Sequence, residues 1–301
     1  GSEMCIRDRR TLIILMIGYA LFYFVRKNFS ITMPALEAEL GISKVKLGLF
    51  LTLHGIIYGL SRFINGFIAD RVSRKKMMAA GLFLSALVNI FIGLSPEMNG
   101  LFNFMDGEGK ATMGMVAFIG SLWLINGYTQ GMGFPPCGSL MAHWIKPSEL
   151  ATKQAIWNSS HSIGASLVAF LCGTFILNHF SYSAWQWCFF VPALLAIAGA
   201  VLVLFGLKDT PASVGLPDPE EIDDNAPVKE VVTEPKEFTD FAYKRFVKEM
   251  VFKNPIVWIL ATSNFFIYII RFTILDWGAT FLTQDRGLSI QTASTVVGIT
   301  E

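Results

Sequence analysis

Three arginines, Arg26, Arg62 and Arg271, stand inside long apolar stretches of this chain. A guanidinium is always charged, and holding one at the middle of a bilayer costs about 2.5–3.5 kcal/mol on insertion scales. None of the three has a carboxylate within a helical turn on either side. Two share a frame: Tyr23-Phe24-Val25-Arg26 is matched by Tyr268-Ile269-Ile270-Arg271. Each of these Arg lies about 14–15 residues into its stretch, so both reach roughly 21–23 Å along a helix. Paired planar donors at one depth suit an anion with several oxygens, a phosphate above all, because each fork binds two of them. In the plainer reading each Arg snorkels to the interface or pairs with an acid elsewhere in the fold.

Other polar side chains fall at helical spacing. His54, Tyr58 and Arg62 recur at i, i+4 and i+8 and share one helix face. Tyr58 and Arg62 are expected to line a cavity, with His54 nearer the outer end and apart from the ligand. Trp157, Asn158 and His161 sit close together in a later stretch. His161 is either a structural hydrogen-bonder or, facing arginines, a phosphate contact that titrates near neutrality. Gln130 precedes Gly131-Met132-Gly133-Phe134-Pro135-Pro136. Glycines let helices approach closely and a Pro pair kinks or breaks a helix, so Gln130 either faces the cavity or only packs. Asp70, Arg71 and Arg74 form an acid-then-basic cluster between two stretches. It reads as a gating clasp between neighbouring helices or as topology signal alone.

The elements that must position these residues are membrane helices. Of 301 residues, 53% are hydrophobic and 16% charged, against about 25% charged in soluble domains. A net charge of +1 argues against nucleic acid as a partner. A bilayer span needs about 20 mostly apolar residues. Seven such stretches cover residues 11–33, 47–69, 77–95, 113–137, 151–178, 185–207 and 255–282, and an eighth begins near 289. Residues 1–10 carry no periodicity and read as a non-native or disordered leader. Residues 11–207 form a six-helix half, 208–254 a polar linker, and 255–301 the start of a second half. The linker holds the acidic run Glu220-Glu221-Ile222-Asp223-Asp224, and residues 238–252 suit a short amphipathic helix.

Lysine and arginine set the orientation. Arg7, Arg9 and Arg10, then Arg71, Arg74, Lys75 and Lys76, then Lys146 and Lys153, and seven more between Lys208 and Lys253 lie on one side. Lys44, Lys46, Lys110 and Arg286 lie on the other. The N-terminus is therefore expected in the cytoplasm. Cys5, Cys137, Cys172 and Cys188 show no C-x-x-C spacing, so buried thiols are expected rather than zinc or disulfides. No phosphate loop, H-E-x-x-H or G-x-S-x-G is present. Neither catalytic residues, nor a metal, nor a cofactor is expected. Parallel repeats sharing a midplane site are instead a carrier pattern.

The stretch from Gly66 to Lys75 resembles the signature of the major facilitator superfamily, with Ser73 where a second Gly is common. More specifically, the chain resembles the organophosphate:phosphate antiporters, carriers of glycerol-3-phosphate and hexose phosphates. The matching pieces are YFVRKNF (23–29), YGLSRF (58–63), QGMGFPPCG (130–138), WNSSH (157–161), DTPASVGLP (209–217) and the run 268–277. The resemblance implies an all-α fold of twelve helices, of which this chain holds the first six, the seventh and the start of the eighth. It implies that Arg26 and Arg271 clamp phosphate between two halves, with Tyr19, Tyr23, Tyr58 and Tyr268 lining the cavity and His161 contributing. Arg62 stands where these relatives often have Lys. It also implies exchange of an organophosphate for inorganic phosphate by alternating access, in a monomer in the inner (plasma) membrane. Three alternatives stay open: a transport-inactive hexose-phosphate sensor of the same fold, a proton-coupled carrier of another organic anion, and a membrane phosphatase.

Overall fold

The computed structural model describes residues 2–69, 71–217, 219, 245 and 248–300. Helices dominate them, and the single extended pairing among the described residues is a bridge between Met105 and Ala111. We number the principal helices α1 (Ser2–Leu40), α2 (Lys44–Ala69), α3 (Arg74–Gly93), α4 (Met113–Gln130), α5 (Phe134–Trp144), α6 (Pro147–Ala169), α7 (Trp187–Gly206), α8 (Pro255–Thr280) and α9 (Ile290–Thr300). A π-helical stretch, Phe170–Leu177, prolongs α6 and another, Phe281–Asp285, prolongs α8.

Six helices are long and apolar enough to cross a membrane: Ile6–Leu40, Lys44–Ala69, Arg74–Gly93, Pro147–Phe180, Tyr182–Gly206 and Pro255–Asp285. The expected span at 113–137 is instead two shorter helices, α4 and α5, with a turn at residues 131–133. Pro135 and Pro136 remove two backbone donors at the start of α5. The turn tightens to three-residue hydrogen bonds, from Gly131 N to Tyr128 O (3.1 Å) and from Met132 N to Thr129 O (3.1 Å). Gly131 is also where α2 comes closest. A Cβ there would sit 2.8 Å from Arg62 N and closer still to Ser61 Oγ.

Residues 2–10 do not stand apart as a disordered leader. They continue α1, and Asp8 pairs with Lys153 of α6 at 2.7 Å. α1 bends at Val25 (φ −95°, ψ 15°). Backbone groups in a bilayer must find partners inside the protein, and the Val25 carbonyl accepts from Asn89 Nδ2 and Asn126 Nδ2, both at 3.0 Å. Asn28 Nδ2 then donates to Asn89 Oδ1 (2.8 Å) and to the Cys188 carbonyl (2.9 Å). This buried amide network fixes the bend one residue before Arg26. Two apolar clusters run along α1 on either side of it, one around Trp144 and Trp157, the other around Phe29 and Trp123. Cys137, Cys172 and Cys188 are buried free thiols.

After α7 the chain is tied back to the bundle. Trp144 Nε1 donates to the Lys208 carbonyl (2.8 Å), while Asp209 accepts from Ser73 Oγ (2.6 Å) and Lys75 N (3.0 Å) at the start of α3. The acidic run at 220–224 and most of the expected surface helix at 238–252 lie outside the described residues.

Candidate binding site

Four helices and the turn before α5 close around a cavity of about 270 Å³. From α1 come Tyr19, Tyr23 and Arg26, from α2 Tyr58 and Arg62, from α6 Asn158 and His161, and from α8 Tyr268. The bend at Val25 and the turn at Gly131 set how these elements approach one another. Arg26 is 7% exposed. Its Cζ lies 4.0 Å from the Tyr23 ring centroid and 4.7 Å from that of Tyr58. Arg62 Cζ lies 3.5 Å over Phe134. Aromatic faces thus hold both guanidiniums through their quadrupoles and leave their N–H edges for oxygen ligands. His161 Nδ1 hydrogen-bonds the Asn158 carbonyl, and its ring lies 5.6 Å from Tyr23.

Among the described residues lining this cavity there are two guanidiniums, one imidazole and no carboxylate. Such a set binds anions, and in a low-dielectric wall it binds them strongly. Arg271 stands beside the cavity on α8 rather than in its wall. Its Nη2 donates to Ser162 Oγ (3.4 Å) and its Cζ is 5.8 Å from the Tyr268 ring.

Two residues expected to touch ligand lie elsewhere. Gln130 is 3% exposed and donates to Ser85 Oγ (3.3 Å). As the last residue of α4 it faces α3, in a polar seam where Ser85 also bonds Thr129 (2.7 Å). Trp157 is buried behind the wall, with its ring 4.7 Å from Tyr19 and 5.6 Å from Phe134. It fixes lining residues and is not one of them. Asp70 lies outside the described residues. Arg71 is exposed in the turn before α3, and Arg74 Nε donates to Ser139 Oγ (2.6 Å) on α5. The carboxylate seen at this end is Asp209.

Sequence reasoning passed over four residues near the site. Phe134 and Phe272 line the cavity; the first sits inside the Gly-Pro run and the second follows Arg271. Lys27 and Asp276 form an ion pair at 2.5 Å between α1 and α8, and Ser30 Oγ also donates to Asp276 (3.1 Å). One Lys and one Asp inside opposed apolar stretches were the available signal. Removing one partner of such a pair leaves a charge stranded in a dry site, a loss of about 3 kcal/mol at the lower end of the usual range because Asp276 is partly exposed. Asp276→Asn is therefore expected to lower the melting temperature in detergent clearly, while Lys27→Met with Asp276→Leu restores most of it. Equal melting of single variant and parent would show that the pair does not fasten α8 to α1.

The profile of the Major Facilitator Superfamily matches residues 15–301. The chain belongs to the major facilitator superfamily. Members are transporters and not enzymes, and this facilitator is a multi-pass membrane protein. It is 39% identical over 275 residues to the glycerol-3-phosphate transporter of Bacillus subtilis, covering 91% of this chain and 57% of that one. It is 32% identical to a probable hexose phosphate transport protein of Chlamydia trachomatis (95% and 59% covered) and 30% identical to the membrane sensor protein UhpC of Salmonella typhimurium (97% and 61%). The chain thus spans less than two thirds of the length of these relatives. Among solved structures it is similar to a bacterial homologue of the lysosomal transporter Spinster, inward-facing and unoccupied, with TM-score 0.71 at 16% identity (97% and 59% covered). That likeness concerns the fold alone.

Proposed function

We propose that this facilitator carries an organophosphate, glycerol-3-phosphate or a sugar phosphate, in exchange for inorganic phosphate by alternating access in the inner membrane. The observation that carries the reading is the cavity itself: two aromatic-held guanidiniums, one imidazole and no carboxylate among its described lining residues. An anion with several oxygens satisfies those donors, and a second helix set contributes through Tyr268 and Phe272. Arg26 and Arg271 grip the phosphate from the two halves, so ligand binds best when the halves meet. A ligand moves a conformational equilibrium only through such differential contact. Arg71 and Arg74, with Asp70, form the cytoplasmic latch that releases as the halves part. The N-terminus lies in the cytoplasm, as the lysine and arginine asymmetry requires, and the protein works as a monomer.

The test is uptake by the full-length protein in liposomes loaded with inorganic phosphate, using labelled glycerol-3-phosphate and glucose 6-phosphate. Uptake that depends on internal phosphate is expected. Likeness to the sensor UhpC supports a second reading, ligand binding without transport. Saturable binding in detergent with no exchange in liposomes would establish that reading and overturn the first.

A further inference from the structure

A second, smaller chamber of about 100 Å³ adjoins the cavity, and Arg26, Tyr58 and Phe272 belong to both walls. Its chemistry differs. Where the larger cavity has no carboxylate among its described lining residues, this one has Asp276, with Ser30 and His54 beside it. Three buried hydrogen-bonding atoms on residues of its wall have no partner among the described residues: Arg26 Nε, His54 Nε2 and Trp123 Nε1. Those residues are 7%, 6% and 0% exposed. Trp123 Nε1 and Arg26 Nε only donate, and the His54 nitrogen donates or accepts with its tautomer. Leaving such groups unmatched in a dry site is costly, so three around one chamber point to an oxygen-rich occupant. The His54 ring is held at 4.8 Å and 21° to Trp123, which in turn stacks on Phe29 at 4.3 Å. The orphaned atoms are therefore rigidly placed.

We infer that this chamber binds the hydroxyl groups of a short polyol chain whose phosphate ester sits at Arg26. The inference rests on the organophosphate reading and assigns the other end of that ligand. The Asp276 carboxylate disfavours a phosphate in the chamber and accepts from hydroxyls, while Trp123 and His54 supply the complementary donors. The volume equals roughly three molecules of liquid water, room for a short hydroxylated chain rather than a sugar ring. His54 becomes the residue that separates hydroxylated esters from plain alkyl phosphates.

The test is calorimetric titration of the full-length protein in detergent with inorganic phosphate, glycerol-3-phosphate and n-propyl phosphate, the last having the same carbon chain without hydroxyls. Glycerol-3-phosphate is expected to bind at least roughly tenfold tighter than propyl phosphate, as two or more matched hydrogen bonds require. His54→Phe keeps a ring against Trp123 and should shrink that ratio by roughly five- to tenfold, whereas His54→Gln keeps most of it. Trp123→Phe reads the same ratio from the opposite wall should His54→Phe fail to fold. A parent ratio near one, or a ratio that neither variant moves, would overturn the assignment and leave ordered water alone in the chamber. If none of the three ligands binds, the organophosphate reading falls and takes this one with it. If they bind without exchange in liposomes, only transport is lost and the ratio still decides.

Discussion

Replacing Arg26 with Lys should cut kcat/KM for organophosphate exchange by roughly ten- to a hundredfold while membrane insertion and melting stay close to the parent. Lys keeps the charge but loses the planar fork and the seat between two rings, where the guanidinium lies 4.0 Å from Tyr23 and 4.7 Å from Tyr58. Hydrogen bonds to charged groups contribute about 1.5–3 kcal/mol each, and each 1.4 kcal/mol is about tenfold in affinity. Arg26→Gln removes the charge as well and should exceed a hundredfold. Stability should barely move even then. The cation–π attraction to the two rings is about 0.5–2 kcal/mol per ring, and the relief of burying a charge at 7% exposure offsets its removal. A large functional loss without a stability loss is the mark of a residue kept for its ligand. Parental exchange in either variant would remove Arg26 from the phosphate site.

Gly164→Val should be the opposite case, damaging fold and function together. Gly164 on α6 meets the backbone of α1 directly: a Cβ there would lie 2.9 Å from the Ala20 Cα and closer still to the Ala20 carbonyl oxygen. Neither atom can rotate away, so the helices must separate. Overpacking of this kind costs about 1–3 kcal/mol and sometimes more. The separation acts on the site because the same pair of helices sets Tyr19 against Trp157 (4.7 Å) and Tyr23 against His161 (5.6 Å). We expect lower yield of folded protein, a lower melting temperature and at least tenfold weaker phosphate binding, read by detergent thermal unfolding and calorimetry. Gly164→Ala should show the same signs, reduced. Parental melting of Gly164→Val would mean that the two helices are not held at this point.

The membrane fold and most of the cavity wall were legible in the sequence for one reason: charge and hydroxyl groups inside apolar stretches are costly and conspicuous. Arg26, Arg62, Tyr58 and His161 announced themselves this way, and the structure gathers them into one wall. What was not legible depended on partners distant along the chain. Lys27 and Asp276 are 249 residues apart, and nothing local to either one names the other. Gln130 had the polarity of a cavity residue, but its face on α4 turns toward Ser85, which spacing within a single helix does not reveal. The break between α4 and α5 was foreshadowed by Gly131, Gly133 and the Pro pair, yet their effect on span length needed the closeness of α2 to show itself. His54 was set apart from the ligand because it matched no pattern; its burial against Trp123 is a tertiary fact.

The helices around the site carry their polar residues at intervals of four: Tyr19, Tyr23 and Lys27 on α1; His54, Tyr58 and Arg62 on α2; Tyr268, Phe272 and Asp276 on α8. Four residues are about 6 Å of helix, slightly more than one turn. Because α2 runs back along α1, Arg62 falls level with Tyr19, Tyr58 with Arg26, and His54 with Lys27, as the shared cavity walls require. The pathway is thereby graduated into rungs, each with its own mix of charge and ring. A solute that advances by one helical turn leaves one complete set of partners and meets the next. Friction along such a track is low, since no intermediate depth leaves the solute without a rung within reach. Shifting one stripe by a single residue would turn its side chains by about 100° and take that helix out of the ladder altogether.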